Sequence, residues 1–454
     1  QKFSKLDFPV LNAEQQKVFE DIAELSDSEK AGVSLLYGVT GSGKTSVFMH
    51  LIKHTVAKGK GVILMVPEIS LTPQLVNKFT SLFGSQVAVF HSGLSLGERL
   101  DEYKRVKKGL AKIAVGTRSA VFAPFEDLGL IIMDEEQEHT YKAENKPRFH
   151  ARELAKFRCN YNNCTLLLSS ATPDVRSFYY AQSGRYTLHT LSQRFGGVEL
   201  PMVQVVDMNE ELSRGNVTGF SDYLLESLEQ TIEDGKQAIL LLNRRGFNTF
   251  ATCKSCKEVV NCPNCSISMT YHSANNRLMC HYCGHSVYYS DKCPTCGSQG
   301  LRLSGTGTQK AEQVLADMLP EARILRLDAD AVMAKNAHEK LLGAFGRGEY
   351  DILIGTQMVA KGLDFPNVTL VGVLNADQML YSDDYRSFER AFSMLTQVVG
   401  RSGRGAEKGI AVVQTFTPEN PVIALAALQN YDAFYEDEIA LRKALIYPPF
   451  VDLL

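Results

Sequence analysis

Gly38-Val39-Thr40-Gly41-Ser42-Gly43-Lys44-Thr45 matches G-x-x-x-x-G-K-[ST], the pattern of a phosphate-binding loop. The apolar run at residues 33–37 predicts a strand before it, and residues 46–54 predict a helix after it. Backbone N–H groups of Gly38, Gly41, Ser42 and Gly43, with the helix N-terminus, are expected to hold phosphate. Lys44 would reach the outer phosphates and Thr45 would hold Mg2+. The alternative is a glycine-rich turn that binds nothing, which the flanking strand and helix disfavour.

Length and composition indicate a globular protein of more than one domain. The chain has 454 residues, 44% of them hydrophobic and 22% charged, with a net charge of -3. This length exceeds what one core usually organises. Nucleic-acid contact would need local basic patches. No apolar run reaches membrane-spanning length, so no membrane partner is expected. Residues 1–4 carry no signal pattern and no initiator Met, so we expect an internal fragment of a longer protein.

Two series of short apolar runs predict two parallel sheets. The first continues through residues 62–66, 111–115, 130–133 and 165–168. The second comprises residues 238–242, 324–327, 352–354, 368–373 and 410–413, after a looser linker near 196–222. We therefore predict an α/β fold with two RecA-like P-loop lobes in tandem. The predicted boundaries are 1–205 for lobe 1, 206–252 with 303–418 for lobe 2, 253–302 for an insertion, and 419–454 for the start of a further domain.

Polar residues at predicted strand ends indicate a nucleotide site in the first lobe. Asp134 is expected to hold Mg2+ through water, and Glu135 to orient or deprotonate the attacking water. Surface carboxylates are the alternative, which the preceding apolar strand disfavours. Gln15 either reads the adenine edge or caps its helix with Asn12; the sequence leaves both open.

The second lobe has no phosphate loop of its own, so we expect it to complete the first lobe's site. The segment at residues 397–404 lies at a predicted helix end, and its Arg401 and Arg404 suit an arginine finger that would stabilise charge on the transferring phosphoryl group. Gln397 is expected to bind the nucleotide. A basic surface turn is the alternative. Thr356 and Gln357 follow a predicted β-strand and are candidates for contact with a nucleic-acid strand.

Eight of the 10 Cys lie in one segment as four C-x-x-C pairs. They are Cys253/Cys256, Cys262/Cys265, Cys280/Cys283 and Cys293/Cys296. Four pairs predict two closed all-thiolate zinc sites that are structural, and metal should carry the folding of so short a segment. Redox pairs are the less favoured alternative. Spacing alone leaves sequential and interleaved sites open. Cys159 and Cys164 are expected to be ordinary free thiols.

The ordered set of motifs resembles superfamily 2 helicases. Residues 66–74, 90–94, 116–120 and 242–247, with the cysteine insertion and the tail at 442–450, look like the PriA (primosomal protein N′) family of replication-restart helicases. The resemblance covers nearly the whole chain. It implies ATP hydrolysis, 3′-to-5′ unwinding at stalled or repaired replication forks, and primosome assembly. It also implies a helicase core without the family's N-terminal DNA-binding region and with only the start of its C-terminal domain.

The same resemblance implies ligands, contacts and partners. Cys253, Cys256, Cys293 and Cys296 would bind one Zn2+, and the other four cysteines would bind the second. Thr117 and Arg118, with an aromatic-rich loop at 141–150, would contact DNA. Its candidates are Tyr141, Lys146, Arg148 and Phe149; aromatic rings suit single strands, and simple packing is the alternative. Expected partners are forked and single-stranded DNA, primosome proteins and single-stranded DNA-binding protein. A cytoplasmic, nucleoid-associated bacterial monomer is expected.

Two positions depart from the family's usual pattern. Gln137 stands where His is usual, and Gln309 where Glu is usual. Since Gln cannot become cationic, communication between the ATP and DNA sites is expected to differ in detail. Two rival functions stay open: a double-strand DNA translocase, and a fork-recognition scaffold whose zinc module recruits partners.

Overall fold

In the computed structural model the chain divides into two units, residues 1–198 and 199–454. The structure describes residues 8–194, 201–242, 249–256, 258–264, 267–272, 275–280, 283–304, 308–327, 337–356, 365–382, 384–400 and 409–452. Each unit contains its own parallel sheet, as two series of apolar runs predict. Within these ranges no helix combines the length and the apolar character needed to cross a bilayer.

The first unit is a seven-stranded parallel sheet with helices between its strands, in the order β3-β4-β2-β5-β6-β1-β7. In chain order its elements are α1 Ala13–Asp27, β1 Gly32–Gly38, α2 Lys44–Ala57, β2 Gly61–Met65, α3 Pro73–Phe83, β3 Val87–Phe90, α4 Leu96–Lys107, β4 Ile113–Gly116, β5 Leu128–Asp134, α5 Ala151–Asn162, β6 Thr165–Ser170, α6 Val175–Gln182 and β7 Thr187–Leu191. The five predicted strands are confirmed and occupy the interior of this sheet.

The two edge strands of this sheet, β3 and β7, were not predicted. β3 has only four residues, and along β7 buried His189 and Leu191 alternate with exposed Thr187 and Thr190. Interior strands of a parallel sheet are buried on both faces and therefore read as continuous apolar runs. β7 lacks that signature, so a search for apolar runs misses it, whereas the Val-Ala-Val-Phe run of β3 carries it and could have been predicted.

The second unit has a six-stranded parallel sheet in the order β15-β16-β9-β17-β18-β8. Its elements are β8 Met202–Asp207, α7 Met208–Ser213, α8 Asp222–Glu233, β9 Gln237–Leu241, α9 Thr308–Met318, β15 Ile324–Leu327, α10 Ala337–Gly346, β16 Ile352–Gly355, β17 Val368–Val373, α11 Asp377–Leu380, α12 Ser387–Val399, β18 Ile410–Thr415, α13 Pro421–Ala427 and α14 Tyr431–Ala444. All five predicted strands are present. The predicted boundary at 205/206 is wrong, because β8 pairs with β18 along its full length.

The cysteine-rich insertion forms a separate five-stranded sheet between β9 and α9, in the order β13-β12-β11-β10-β14. Its strands are β10 Thr249–Cys253, β11 Thr270–His272, β12 Arg277–Met279, β13 Ser286–Tyr288 and β14 Leu301–Ser304. β10 and β14 are antiparallel neighbours, so the chain enters and leaves the insertion side by side. The insertion sheet is therefore slightly longer than the predicted 253–302.

The last helices pack on the second unit, although the sequence predicted only the start of a further domain there. Arg442 of α14 is fully buried and its guanidinium donates 2.8 Å hydrogen bonds to Glu389 of α12 and Glu438 of α14. Phe434 stacks on Phe392 with ring centroids 4.3 Å apart. A buried cation between two carboxylates fixes α14 against α12, since breaking such a pair leaves an uncompensated charge.

Candidate functional site

The phosphate loop lies between β1 and α2, as predicted. Gly41 and Gly43 have φ of 80° and 79°, left-handed values that glycine adopts without steric cost. α2 begins at Lys44, so the free N–H groups of its first turn open onto the loop. Lys44 Nζ donates to the Gly38 carbonyl at 2.7 Å, and the buried Ser42 hydroxyl has no partner among the described residues. An orphaned hydroxyl, glycines and a helix N-terminus fit an anionic ligand.

Gln15 connects the start of α1 to the phosphate loop. The side chain is fully buried, and its amide forms a capping box with Asn12 at the start of α1. Its Nε2 also donates to the Ser42 carbonyl at 2.8 Å. Both ends of the amide are thus engaged within the protein. The structure therefore shows the capping role and adds a contact to the loop that the sequence did not predict, and the adenine-reading role stays a prediction.

Asp134 lies at the carboxyl end of β5, where the sequence predicts a residue that holds Mg2+ through water. Ser169 Oγ donates to its Oδ1 at 3.3 Å. Burial and repulsion from Glu135 raise the pKa of Asp134 to about 7, and the nearby Lys44 ammonium offsets part of that rise. Asp134 therefore carries a carboxylate that is costly to ionise without a cation. A hard cation such as Mg2+ suits such a group.

Glu135 and Gln137 connect this acidic end of β5 with the end of β6. Glu135 has a φ of 46°, a left-handed value uncommon outside glycine. Gln137 Nε2 donates to the Glu135 carboxylate at 2.7 Å, and Ser170 Oγ donates to Gln137 Oε1 at 2.6 Å. Gln137 thus uses both ends of its amide to join Glu135 to Ser170. The amide of Gln137 is neutral and does not titrate, so these two hydrogen bonds do not require a change in its own charge.

Glu136 faces away from this site and is part of a buried ion pair that the sequence did not predict. Arg152 Nη1 donates to Glu136 Oε2 at 2.7 Å and to Ser177 Oγ at 2.8 Å. Glu136 Oε1 accepts from the Asp174 backbone N–H at 2.8 Å. Burial raises the pKa of Glu136 to about 7 against the attraction of Arg152. Arg152 lies in no motif, so no pattern in the sequence could have identified it.

A cavity of about 390 Å³ opens near the end of β5 and is lined by Thr117 and Arg118, which the sequence analysis names as candidate DNA contacts. Its walls come from residues at the carboxyl ends of β2, β3 and β4, from α4, and from the segment after β5. Arg118 Nη1 donates to the Thr140 and Lys142 carbonyls at 3.0 and 3.3 Å. β2 is three strand positions from β1, about 14 Å at ~4.8 Å per strand. The cavity is therefore distinct from the phosphate loop.

The predicted aromatic-rich loop is only partly available for strand contact. Tyr141 is 1% exposed and its hydroxyl donates to the Asp134 carbonyl at 2.6 Å. The prediction of Tyr141 as an exposed stacking residue is therefore wrong, because the ring packs inside the unit and only borders the cavity. Phe149 is half-buried and meets exposed Phe122 edge to face at 5.1 Å between centroids. Lys146 and Arg148 are exposed.

In the second unit, Thr356 directly follows β16 and is half-buried, and Gln397 is buried within α12. α12 ends at Val399, which agrees with the expected helix end. Gln357, Arg401 and Arg404 lie outside the described residues, as does the Gln309 side chain. Their predicted roles stay predictions.

The described cysteines of the insertion gather into two groups. Sγ atoms of Cys253, Cys256, Cys293 and Cys296 lie within 4.8 Å of one another, as do those of Cys262, Cys280 and Cys283. Cys265 lies outside the described residues. This is the interleaved pairing, so the sequential alternative is wrong. The Sγ pairs 253–296, 256–293 and 262–283 are 3.6 to 3.7 Å apart. Thiolates on a tetrahedral zinc at about 2.3 Å have nearly this spacing.

Outside the insertion, Cys159 and Cys164 are buried free thiols with Sγ atoms 3.2 Å apart. They fit the expectation of ordinary core cysteines.

Comparison with known proteins agrees with this architecture. Residues 12–179 match the DEAD/DEAH box helicase family, residues 262–287 the PriA DNA helicase Cys-rich region, and residues 304–406 the helicase conserved C-terminal domain. Replication restart protein PriA of Bacillus subtilis is 51% identical over 99% of this chain and 56% of its own length. The Treponema pallidum protein of the same name is 39% identical over 99% of this chain and 67% of its own length. The chain belongs to the PriA family.

The chain spans little more than half the length of two PriA relatives, 56% in B. subtilis and 54% in Synechocystis. Among solved structures, RecG bound to a three-way DNA junction matches with a TM-score of 0.57 at 18% identity, over 96% of this chain and 47% of that one. The helicase MrfA bound to DNA matches with a TM-score of 0.53 at 11% identity, over 94% and 51%. These likenesses show the helicase fold, and PriA membership rests on the sequence relatives.

Proposed function

We propose that this chain is the ATP-driven core of a replication-restart DNA helicase. The observation that carries the proposal is a glycine loop whose Lys44 lies near enough to lower the pKa of a hard-to-ionise carboxylate, Asp134. Lys44 and the N–H groups of the loop would bind the outer phosphates of ATP. Asp134 and Thr45 would hold Mg2+, which supplies charge neutralisation at the phosphates. Glu135, held by Gln137, would orient the attacking water.

The DNA-binding part of the proposal rests on the cavity beside β5. Thr117 and Arg118 line it, and the guanidinium leaves Nε and Nη2 without an acceptor among the described residues. A cation in an open cleft suits a phosphate of single-stranded DNA. Tyr141 borders the cavity and donates to the Asp134 carbonyl. A DNA strand bound in the cavity would therefore lie next to Tyr141, which is one hydrogen bond away from Asp134, the residue proposed to hold Mg2+.

The family relation supports the biological setting. We propose 3′-to-5′ movement on single-stranded DNA at stalled or repaired forks, in the bacterial cytoplasm at the nucleoid, by a monomer. The insertion would hold two structural Zn2+, with Cys265 as the eighth ligand, and would offer a surface to primosome proteins or single-stranded DNA-binding protein. Gln397, Arg401 and Arg404 would contribute to the nucleotide site, and Thr356 with Gln357 to the strand.

ATPase activity with and without single-stranded DNA tests the proposal. Lys44→Ala should abolish turnover while strand binding largely survives, because Lys44 does not line the cavity. Lys78→Ala, an exposed cation on α3, is the matched control and should leave turnover unchanged. Equal ATPase activity in Lys44→Ala and wild type would refute the nucleotide site. Strand displacement on labelled forks then separates a helicase from a translocase that does not unwind.

A further inference from the structure

The cavity beside β5 contains a carboxylate that a pure phosphate-binding groove would not need. Glu68 is exposed at its wall, next to the exposed Ser92. Ser92 Oγ donates to Glu68 Oε1, and Oε2 has no donor among the described residues. An ionised carboxylate accepts hydrogen bonds and donates none. It therefore repels a phosphate and attracts a group that carries N–H donors.

An aromatic ring and two cations border the same cavity. Phe122 is 54% exposed, and its edge-to-face contact with Phe149 fixes the ring orientation. Arg118 and Arg99 are both in the lining. Arg99 donates to the Ser92 and Leu94 carbonyls, which holds its guanidinium next to the Glu68–Ser92 pair. One cavity thus presents a stacking face, cations and a hydrogen-bond acceptor.

We propose that this cavity receives one unstacked base of the bound single strand and favours a base with an exocyclic amino group. The inference rests on the proposed strand-binding function. The cavity volume of about 390 Å³ lies within the ~300–1,000 Å³ range of small-molecule pockets. Phe122 stacks on the base, and Arg118 and Arg99 meet the flanking phosphates. Glu68 accepts from the amino group, as carboxylates do from cytosine N4. Thymine has no amino group to offer.

The test compares labelled dT12 with dT12 carrying one central dC, by fluorescence anisotropy with the whole chain. A strand can slide to place its single dC in the cavity. We expect the dC strand to bind about fivefold more tightly, the low end of discrimination by one base contact. Glu68→Gln should remove that preference while dT12 binding persists, because an amide can donate to thymine O4 as well as accept. Glu20→Gln, an exposed carboxylate on α1, is the control.

A second pair of variants tests the stacking face. Phe122→Ala should weaken binding of both strands about fivefold or more, since stacking on an aromatic ring contributes ~1–3 kcal/mol per base. Phe157→Ala, which removes a ring that is 68% exposed and lies outside the cavity lining, should have no effect. If both strands bind equally to wild type, or the dC preference survives in Glu68→Gln, the base pocket is wrong while the proposed function stands. If neither strand binds at all, both are wrong.

Discussion

Replacing Arg152 with Met would separate the anchoring role of the acidic segment from its role at the nucleotide site. The guanidinium is 8% exposed and bonds Glu136 and Ser177, with Asp174 Oδ2 3.7 Å from Nη1. Met fills a similar volume without charge, so Glu136 would lose its only cation at hydrogen-bond distance among the described residues. Removing one member of a buried pair costs ~3–5 kcal/mol. We expect a loss of that size in the free energy of unfolding at pH 8.

The loss should depend on pH in a defined direction. In the wild type the pKa of Glu136 is raised to about 7, above its unfolded value near 4.3. A raised carboxyl pKa means that the folded state binds more protons, so stability falls as pH rises from about 4.3 to about 7. Without Arg152 the pKa rises further, and the fall continues above pH 7. Arg152→Met should therefore be more damaging at pH 8 than at pH 6.

Urea unfolding followed by far-ultraviolet circular dichroism at pH 6 and pH 8 measures both effects. The double variant Glu136→Gln/Arg152→Met leaves no charge to compensate, and should recover part of the stability with little pH dependence. Arg214→Met removes an exposed partner of Glu210 and should change the free energy by less than ~1 kcal/mol. A loss below ~1 kcal/mol for Arg152→Met, equal at both pH values, would refute this account of the network.

Three further predictions concern the sites themselves. Asp134→Asn should abolish ATPase activity. It should nevertheless raise the free energy of unfolding by on the order of 2–4 kcal/mol at pH 8 in EDTA and by much less near pH 4, because ionising the wild-type carboxylate above its raised pKa costs stability. Thermal unfolding at both pH values measures this. Tyr141→Phe should keep basal ATPase and strand affinity but reduce stimulation by single-stranded DNA several-fold, as it removes only the hydrogen bond to the Asp134 carbonyl; kcat with and without dT12 measures this. Cys253→Ser should release about one Zn2+ per chain and expose the insertion to protease while ATPase persists; metal analysis and limited proteolysis measure this.

The sequence predicted most of the fold because interior parallel strands leave a strong local signal. Runs such as residues 130–133 are apolar on both faces, and each of the ten predicted runs is a strand. The edge strands β7 and β8 were missed since exposed residues interrupt them, whereas β3 is a continuous apolar run that the sequence could have identified. The misplaced boundary at 205/206 follows from the same cause: β8 is recognisable only by its partner β18, which lies some 200 residues later in the chain.

The candidate sites show a similar division between local and long-range information. The phosphate loop, Asp134 and the cysteine pairs are visible locally, because each chemistry needs particular residues at short spacing. The contacts that hold them are not. Gln15 reaches Ser42 across 27 positions, and Glu68 meets Ser92 across 24. The prediction for Tyr141 was wrong because the local sequence, an aromatic residue near cations, is the same whether the ring stacks on a base or packs in the core.

Three consecutive carboxylates show how the fold, and not residue type, assigns chemistry. Asp134 lies at the end of a central strand near Lys44, where burial makes ionisation of its carboxyl group unfavourable and thereby favours binding of a cation. Glu135 adopts a left-handed conformation and is held by Gln137. Glu136 points into the interior and is neutralised by Arg152. The buried pair at Glu136 fixes the backbone that carries Glu135, which is how a strained residue can persist next to the nucleotide site. The site's geometry therefore depends on a residue that touches no ligand.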